Sequence, residues 1–357
     1  MTLIIAEAGV NHNGDEQLAR QLIDVAKSAG ADIVKFQTFK AAKLATSAAA
    51  QAQYQTSNSG VAESQLSMLS KLELSFAAFR RLADYCQQQQ IEFLSTAFDD
   101  ESLDFLVNEL NLQRLKIPSG EINNAPFLLR HAQTGRQLIL STGMATLADI
   151  EAALGVLAFG YTAAPEAKPS VAAFQQAYAS ASGQQALKDK VTLLHCTSEY
   201  PTPLSDVNLR AMDTLCASFG LAVGLSDHSA GTVVSIAAAA RGACVIEKHF
   251  TLDRLMEGPD HQASLSPDEL HQLIHGVRQV GQALGSRVKT PQRSELKNKA
   301  VIRKSLVAAR DIEAGELLSA DCIAVMRPEG GASPFKYWEI QSIKASRSYK
   351  AGEPLVD

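Results

Sequence analysis

Leu3-Ile4-Ile5-Ala6, followed directly by Glu7, is the first of eight short apolar runs along the 357-residue chain. The runs are predominantly apolar rather than alternating, which is the pattern of parallel strands buried on both faces. The other seven are Ile33–Phe36, Ile91–Leu94, Leu115–Ile117, Leu138–Leu140, Val191–Leu194, Leu221–Leu225 and Cys244–Ile246. Eight such strands, separated by helical segments over roughly 285 residues, predict a (β/α)8 barrel.

The segments between the runs have helical spacing and recognisable ends. In residues 15–29 apolar side chains recur on one helical face, and Gly30 follows as a stop signal. Ser266 offers a cap for a later helix, with Pro at the first helical position and Glu three residues on. Residues 40–71 and 155–190 are too long for ordinary loops, so each is expected to be a lid or to carry helices of its own.

The composition changes after residue 285. Residues 286–303 are polar and basic and are interpreted as a linker, whereas residues 304–357 have short β-like pieces punctuated by Gly and Pro. We therefore expect residues 1–285 to form the barrel and residues 304–357 a small β-rich domain. A domain of that size gains stability by docking on a larger one.

Bulk composition indicates an ordinary globular chain: 46% of residues are hydrophobic, 20% are charged and the net charge is −5. No basic field points to nucleic acid or an anionic membrane as partner. The five cysteines are scattered without CxxC spacing. They indicate reduced thiols in a cytoplasmic protein rather than disulfides or a zinc knuckle. The apolar N-terminus lacks a basic flank, so we expect a first strand and not a signal peptide.

In a (β/α)8 barrel the functional side chains lie where strands end. Every predicted strand is followed by polar residues, which a barrel serving only as a scaffold would not need. The strand ends and the loops after them supply Glu7, Lys35, Gln37, Thr96, Lys116, Ser119, Glu121, Ser141, Ser198, Tyr200, Ser226, His228, Glu247, His249 and Asp260.

Two histidines, His228 and His249, follow neighbouring strands at matching depth. Neutral imidazoles suit a borderline divalent ion, and two of them leave coordination positions open for water and a substrate oxygen. Two hydrogen-bonded histidines at a barrel mouth are the alternative, which spacing alone does not exclude.

Lys35 and Lys116 end two strands and lie close in the predicted barrel to the hydroxyls of Ser119, Ser141 and Ser226. Converging ammonium and hydroxyl donors suit a phosphate or a carboxylate. We therefore favour an anion-binding site over two solvated surface charges.

The carboxylates Glu7, Glu121, Glu247 and Asp260 could orient hydroxyls, act as a base or bind metal, and spacing does not separate these roles. The Pro-rich turn that begins at Tyr200 would hold the phenol ring over the pocket, or it packs the loop.

With these motifs assembled, the chain resembles the sialic acid synthases, which include N-acetylneuraminate, legionaminate and pseudaminate synthases. The C-terminal part, from residues 303–306 through 327–328, is similar to the antifreeze-like (SAF) domain of the same proteins. The stretches that carry the resemblance in the barrel are residues 5–14, 34–40, 116–121, 141–144, 196–203, 226–228, 246–252 and 258–261.

The resemblance implies a domain-swapped homodimer and a site with assigned roles. His228 and His249 would hold Mn²⁺, with Mg²⁺ or Co²⁺ as alternatives, and Glu7 would act as base or orient a water. The phosphoenolpyruvate set would be Lys35, Gln37, Lys116, Ser119, Ser141, Ser198 and Ser226. The sugar contacts would be Glu121, Tyr200, Asp260 and, from the partner subunit, Arg327. Ser198 stands where some members carry Asn, so its donor is shorter.

The implied reaction joins phosphoenolpyruvate to N-acetylmannosamine and releases phosphate by C–O cleavage, giving N-acetylneuraminate. The alternative sugar is a 2,4-diacetamido-6-deoxyhexose, giving N,N'-diacetyllegionaminate or pseudaminate. A metal-dependent lyase that uses free pyruvate is a more distant alternative. A sugar-binding protein without catalysis is disfavoured because it would have no use for an open metal site.

Overall fold

The computed structural model describes residues 2–44, 46, 49, 51 and 63–356, and their largest element is a closed parallel barrel. The eight strands follow one another in chain order, and the last pairs back to the first. Each predicted apolar run overlaps one strand, so the predicted fold class is confirmed. The strands are β1 Leu3–Gly9, β2 Ile33–Thr38, β3 Glu92–Ala97, β4 Arg114–Ile117, β5 Gln137–Ser141, β6 Val191–Cys196, β7 Ala222–Asp227 and β8 Val245–His249.

Helices follow the strands, and most of them cover the outside of the barrel. They are α1 Glu16–Ala29, α2 Ala41–Leu44, α3 Gln65–Leu72, α4 Phe76–Gln89, α5 Asp100–Asp104, α6 Ala125–Gln133, α7 Leu147–Thr162, α8 Val171–Ala179, α9 Ala181–Lys190, α10 Ala211–Phe219, α11 Val233–Ala240 and α12 Pro267–Leu284. One π-helical turn, Phe105–Glu109, continues α5.

Both predicted helix ends are confirmed. The Asp15 side chain accepts hydrogen bonds from two backbone N–H groups in the first turn of α1, and Gly30 closes that helix with φ of 87°. A left-handed φ of this kind is readily adopted by glycine. Ser266 and Glu269 cap the start of α12 reciprocally, with Pro267 at its first position.

The two long connections carry helices. Residues 40–71 contain α2 and all but the last residue of α3. Residues 45, 47, 48, 50 and 52–62 of that connection lie outside the described part. Residues 155–190 contain the end of α7 and the whole of α8 and α9.

Two apolar layers stabilise the barrel. Helix faces pack on the outer surface of the strands. Six buried side chains fill the interior, namely Ile5, Ile33, Leu94, Ile139, Leu194 and Val245. Burying one such side chain is worth about 1.5–3 kcal/mol. The barrel therefore has a packed interior, and polar groups collect at the ends of its strands.

A second unit, Ser286–Asp357, separates from the first, Met1–Gly285. It contains α13 Leu296–Ile302, the antiparallel strands β9 Ser305–Ala308 and β10 Ile323–Met326, and α14 Tyr337–Ile340. It has an apolar core of its own, which includes Leu306, Cys322 and Leu355.

The structure also shows the state of the cysteines and the character of the helices. All five cysteines are free thiols. Within the described part of the chain, no helix combines the length and the apolar character needed to cross a bilayer.

Candidate active site

A cavity of about 490 Å³ opens where the barrel strands end. All but two of the residues that the sequence predicts for the site line it. They are Glu7, Lys35, Gln37, Lys116, Ser119, Ser141, Ser198, Tyr200, Ser226, His228, His249 and Asp260. Thr96 at the end of β3 lines the cavity too, so all eight strand ends deliver polar groups to one place.

Glu121 and Arg327 are the two predicted residues that do not line this cavity. Glu121 ends a short 3₁₀ turn, and its carboxylate accepts a hydrogen bond from Asn124 Nδ2 at 2.7 Å. Arg327 belongs to the second unit and its side chain is exposed. Their sugar-binding roles stay predictions.

Two lysines and two glutamates form a buried charge network at the ends of β1, β2, β4 and β8. Lys35 Nζ lies 2.7 Å from Glu7 Oε2 and 3.6 Å from Glu247 Oε2. Lys116 Nζ lies 3.8 Å from Glu247 Oε1. Because each charge faces an opposite one, the network tolerates burial that an isolated charge would not.

The two glutamates have pKa values shifted in opposite directions. Burial raises the pKa of Glu7 to about 7, against the attraction of Lys35 and with the repulsion of Glu247. Burial also acts to raise the pKa of Glu247, but Lys116, Lys35 and a hydrogen bond from Ser226 bring it down to about 2. Glu247 is therefore ionised at neutral pH while Glu7 exchanges a proton there, which suits a general base.

The two histidines lie beside each other, with ring centroids 5.7 Å apart, and the Tyr200 ring lies 4.0 Å from that of His228. His228 Nδ1 donates to the Thr197 carbonyl oxygen at 2.8 Å, which leaves its lone pair on Nε2. Burial holds the pKa of His249 well below its ordinary value, so this ring is neutral. Its Nδ1 is buried without a hydrogen-bond partner among the described residues.

This pair fits a divalent metal ion, because the two imidazoles lie side by side in one cavity and each offers a lone pair when it is deprotonated. Over residues 2–44 and 63–356, no group of three or more His, Cys, Asp or Glu side chains is arranged to hold an ion. The two histidines would therefore leave coordination positions for water or substrate oxygens.

A second buried ion pair supports the strand ends that carry the histidines. Lys248 Nζ lies 2.9 Å from Asp227 Oδ2 and donates to the Ser229 carbonyl oxygen at 2.6 Å. Asp227 and Lys248 are register partners of β7 and β8, and each directly precedes one of the histidines. Because side chains alternate along a strand, this pair lies on the other face of the sheet from the site.

Hydroxyl groups crowd one corner of the cavity beside Lys116. The backbone N–H of Gly143 donates to Ser119 Oγ at 2.9 Å, and a Cβ at position 143 would collide with Ser198 Oγ. Ser141 Oγ is buried with no hydrogen-bond partner in the part of the chain described. These groups and the ammonium form a corner suited to an anion.

Some residues around the cavity have no single role assigned to them from the sequence. Glu247 is a strand-end carboxylate for which the sequence leaves several roles open, and in the structure it contacts both lysines. Thr96 accepts a hydrogen bond from Lys35 at 3.2 Å. One face of α3 also lines the cavity, and the signal for it was the helical spacing of Gln65, Met68, Leu69 and Leu72.

A (β/α)8 barrel whose strand ends gather lysines, carboxylates and imidazoles defines an enzyme that stabilises an anion beside a general base. The chain belongs to the NeuB family, whose sequence profile matches residues 22–289. The profile of the SAF domain matches residues 303–357. The predicted resemblance is thus confirmed, and the protein is an enzyme of the sialic acid synthase type.

Two curated relatives and one solved structure give the scale of the similarity. The N,N'-diacetyllegionaminic acid synthase of Campylobacter jejuni is 47% identical over 99% of this chain and 98% of its own. The protein with the same name from Legionella pneumophila is 42% identical, over 99% and 93%. The structure of N-acetylneuraminic acid (sialic acid) synthetase from Leptospira borgpetersenii serovar Hardjo-bovis has 32% identity and a TM-score of 0.65, covering 83% of this chain and 90% of that one.

Proposed function

We propose that this protein condenses phosphoenolpyruvate with a 2,4-diacetamido-6-deoxyhexose, as an N,N'-diacetyllegionaminic acid synthase. The two relatives of that name are 47% and 42% identical to the chain, whereas the N-acetylneuraminic acid synthetase is 32% identical. The relatives thus favour the diacetamido sugar over N-acetylmannosamine, which the sequence alone put first.

The observation that carries the proposal is the buried network of two lysines and two glutamates in the cavity. Lys35 is ion-paired at 2.7 Å to Glu7, and Lys116 faces Glu247 at 3.8 Å. Both ammonium groups are fixed before substrate arrives, so they stabilise a phosphate without reorganising. The unpartnered Ser141 hydroxyl adds a donor for the same anion. A lyase that uses free pyruvate would bring no phosphate group to these ammonium and hydroxyl donors, so the arrangement favours a synthase.

The chemistry follows from this arrangement. C3 of phosphoenolpyruvate attacks the aldehyde carbon of the open-chain sugar, and positive character develops at C2. The aldehyde oxygen receives the electron pair of its π bond and takes a proton from water to become a hydroxyl. A water molecule adds to C2, and the Glu7 carboxylate accepts its proton. The resulting tetrahedral centre expels phosphate by C–O cleavage, while Lys35 and Lys116 stabilise the departing charge. A divalent ion held by His228 and His249 would supply Lewis acidity toward the aldehyde oxygen.

The remaining parts of the site suit the sugar. Tyr200 and Asp260 line the cavity, and burial raises the pKa of Asp260 to about 6. Glu121 of the same subunit and Arg327 of the partner subunit would complete the sugar contacts. The protein would then act as a domain-swapped homodimer in the cytoplasm, with Mn²⁺ as the ion.

The test is phosphate release from phosphoenolpyruvate with Mn²⁺ and a panel of sugars. We expect release with the 2,4-diacetamido-6-deoxyhexose and a product of the mass of N,N'-diacetyllegionaminic acid. A preference for N-acetylmannosamine would instead identify the protein as an N-acetylneuraminate synthase. No release with any N-acylated sugar would overturn the synthase proposal.

A further inference from the structure

The face of α3 that lines the cavity is mainly apolar. Gln65, Met68, Leu69 and Leu72 recur at i, i+3, i+4 and i+7, which places them on one side of the helix, and all four line the cavity. Leu44 at the end of α2 lines it too. A sugar-binding cavity surrounded by charged strand ends thus has one side that offers little hydrogen bonding.

This side is held in place by its own apolar cluster, separate from the barrel core. Met68 and Leu72 are buried in it against Phe39, while Leu44 and Leu69 are half-buried at its edge. An ion pair at 3.1 Å between Lys40 and Glu73 ties the ends of the helical pair together. Leu44 and Leu69 therefore keep apolar surface toward the cavity on a fixed support.

Much of the remaining cavity lining is charged. It includes the lysines and glutamates of the network and the histidine pair described above. A ligand that fills the cavity must therefore meet both polar and apolar surface. A hydroxyl set against the α3 face would lose its water without gaining a partner, whereas a methyl group there gains from leaving water.

We propose that Leu44, Met68 and Leu69, here called the apolar wall, bind the methyl carbons of the sugar and set the preference for a deoxy, doubly acetylated substrate. A 2,4-diacetamido-6-deoxyhexose carries a methyl at C6 and two acetyl methyls, whereas N-acetylmannosamine has a hydroxyl at C6 and one acetyl methyl. The inference rests on the proposed function, because it assigns part of the same cavity to the sugar.

The test compares Leu69→Gln with a matched control, Leu66→Gln, on the same helix. Leu66 packs at the edge of the same cluster and is outside the cavity lining. We expect Leu69→Gln to raise KM for the diacetamido sugar ~10-fold or more, since one apolar group in a pocket is worth roughly 10–200-fold. KM for phosphoenolpyruvate should stay unchanged, and Leu66→Gln should resemble the wild type. Leu69→Met, which keeps the surface apolar, should restore most of the affinity.

Three results would contradict the role of the apolar wall. An unchanged KM for the sugar in Leu69→Gln overturns the wall, as does an equal rise for both substrates or the same loss in Leu66→Gln. If Leu69→Gln melts before assay temperature, Leu44→Gln takes its place with the same expectations. If the wild-type protein releases no phosphate with the diacetamido sugar, both the proposed function and the role of the apolar wall are wrong. The wild-type assay alone gives this result, so it is distinguished from a failure of the apolar wall in the variants.

Discussion

Glu7 and Glu247 belong to adjacent strands of the closing barrel, and Lys35 lies against both. One lysine shared by two buried carboxylates neutralises only one of them well. Burial raises the pKa of Glu7, whereas Lys116, Lys35 and Ser226 lower the pKa of Glu247 in spite of burial. The division of roles between the two residues comes from their neighbours and not from their residue type.

The raised pKa of Glu7 predicts an acidic limb in the pH profile. If the Glu7 carboxylate is the base, kcat/KM should fall about tenfold per pH unit below about 7 because protonated Glu7 accepts no proton. In Glu7→Gln we expect a rate ~10²–10⁴-fold lower and no such limb. Asp260→Asn is the control, and it should keep the limb. A limb that survives in Glu7→Gln belongs to another group.

His249→Ala should weaken metal binding and abolish turnover, because removing one of two imidazoles leaves the ion with a single protein ligand among those assigned to it. Binding of Mn²⁺ by titration calorimetry is the measurement. His271→Ala on the exposed side of α12 is the matched control and should bind the ion like the wild type. Wild-type affinity in His249→Ala would remove this residue from the metal site.

At the scale of elements, the ends of β7 and β8 depend on the buried pair between Asp227 and Lys248. Lys248→Met leaves an uncompensated carboxylate in a buried position, which costs about 3–5 kcal/mol. We expect a lower urea midpoint and weaker Mn²⁺ binding, since both histidines follow these residues directly. Lys43→Ala, which breaks an exposed pair with Glu101, should leave the midpoint unchanged. Lower stability with unaltered metal affinity would limit the pair to a structural role.

How far the sequence predicts each element depends on whether its signal is local. The strands, the Ser266 cap and the Gly30 stop are each signalled by a few consecutive residues, and all are present in the structure. The polar strand ends were predictable as well, because barrel topology alone brings them to one rim.

What the sequence does not predict depends on distant neighbours. The pKa of Glu247 is set by lysines more than a hundred residues away in the chain. The apolar face of α3 has a visible period, but the period does not say whether that face meets the barrel or a cavity. A position after a strand does not by itself bring a side chain into the cavity. Glu121 ends a 3₁₀ turn outside the cavity lining, and its carboxylate accepts a hydrogen bond from Asn124 further along the chain.

At the scale of the whole molecule, the assignment of Arg327 to the partner subunit can be tested by mixing defects. Arg327→Ala alone should raise KM for the sugar more than KM for phosphoenolpyruvate. Co-expressing Arg327→Ala with His249→Ala, each strongly impaired, should restore roughly a quarter of wild-type activity, because half of the dimers then contain one site with both residues intact. An arginine acting within its own subunit would give no recovery.

The pairing of β1 with β8 places Glu7 in register with His249. These two residues are 242 positions apart in the sequence, so the site straddles the seam at which the barrel closes. A ribosome adding about 5–20 residues per second needs on the order of 12–50 s to make that span, and every shorter nascent chain lacks the site. An unfinished or prematurely terminated barrel therefore has no complete site. The site forms only after β8 has paired with β1.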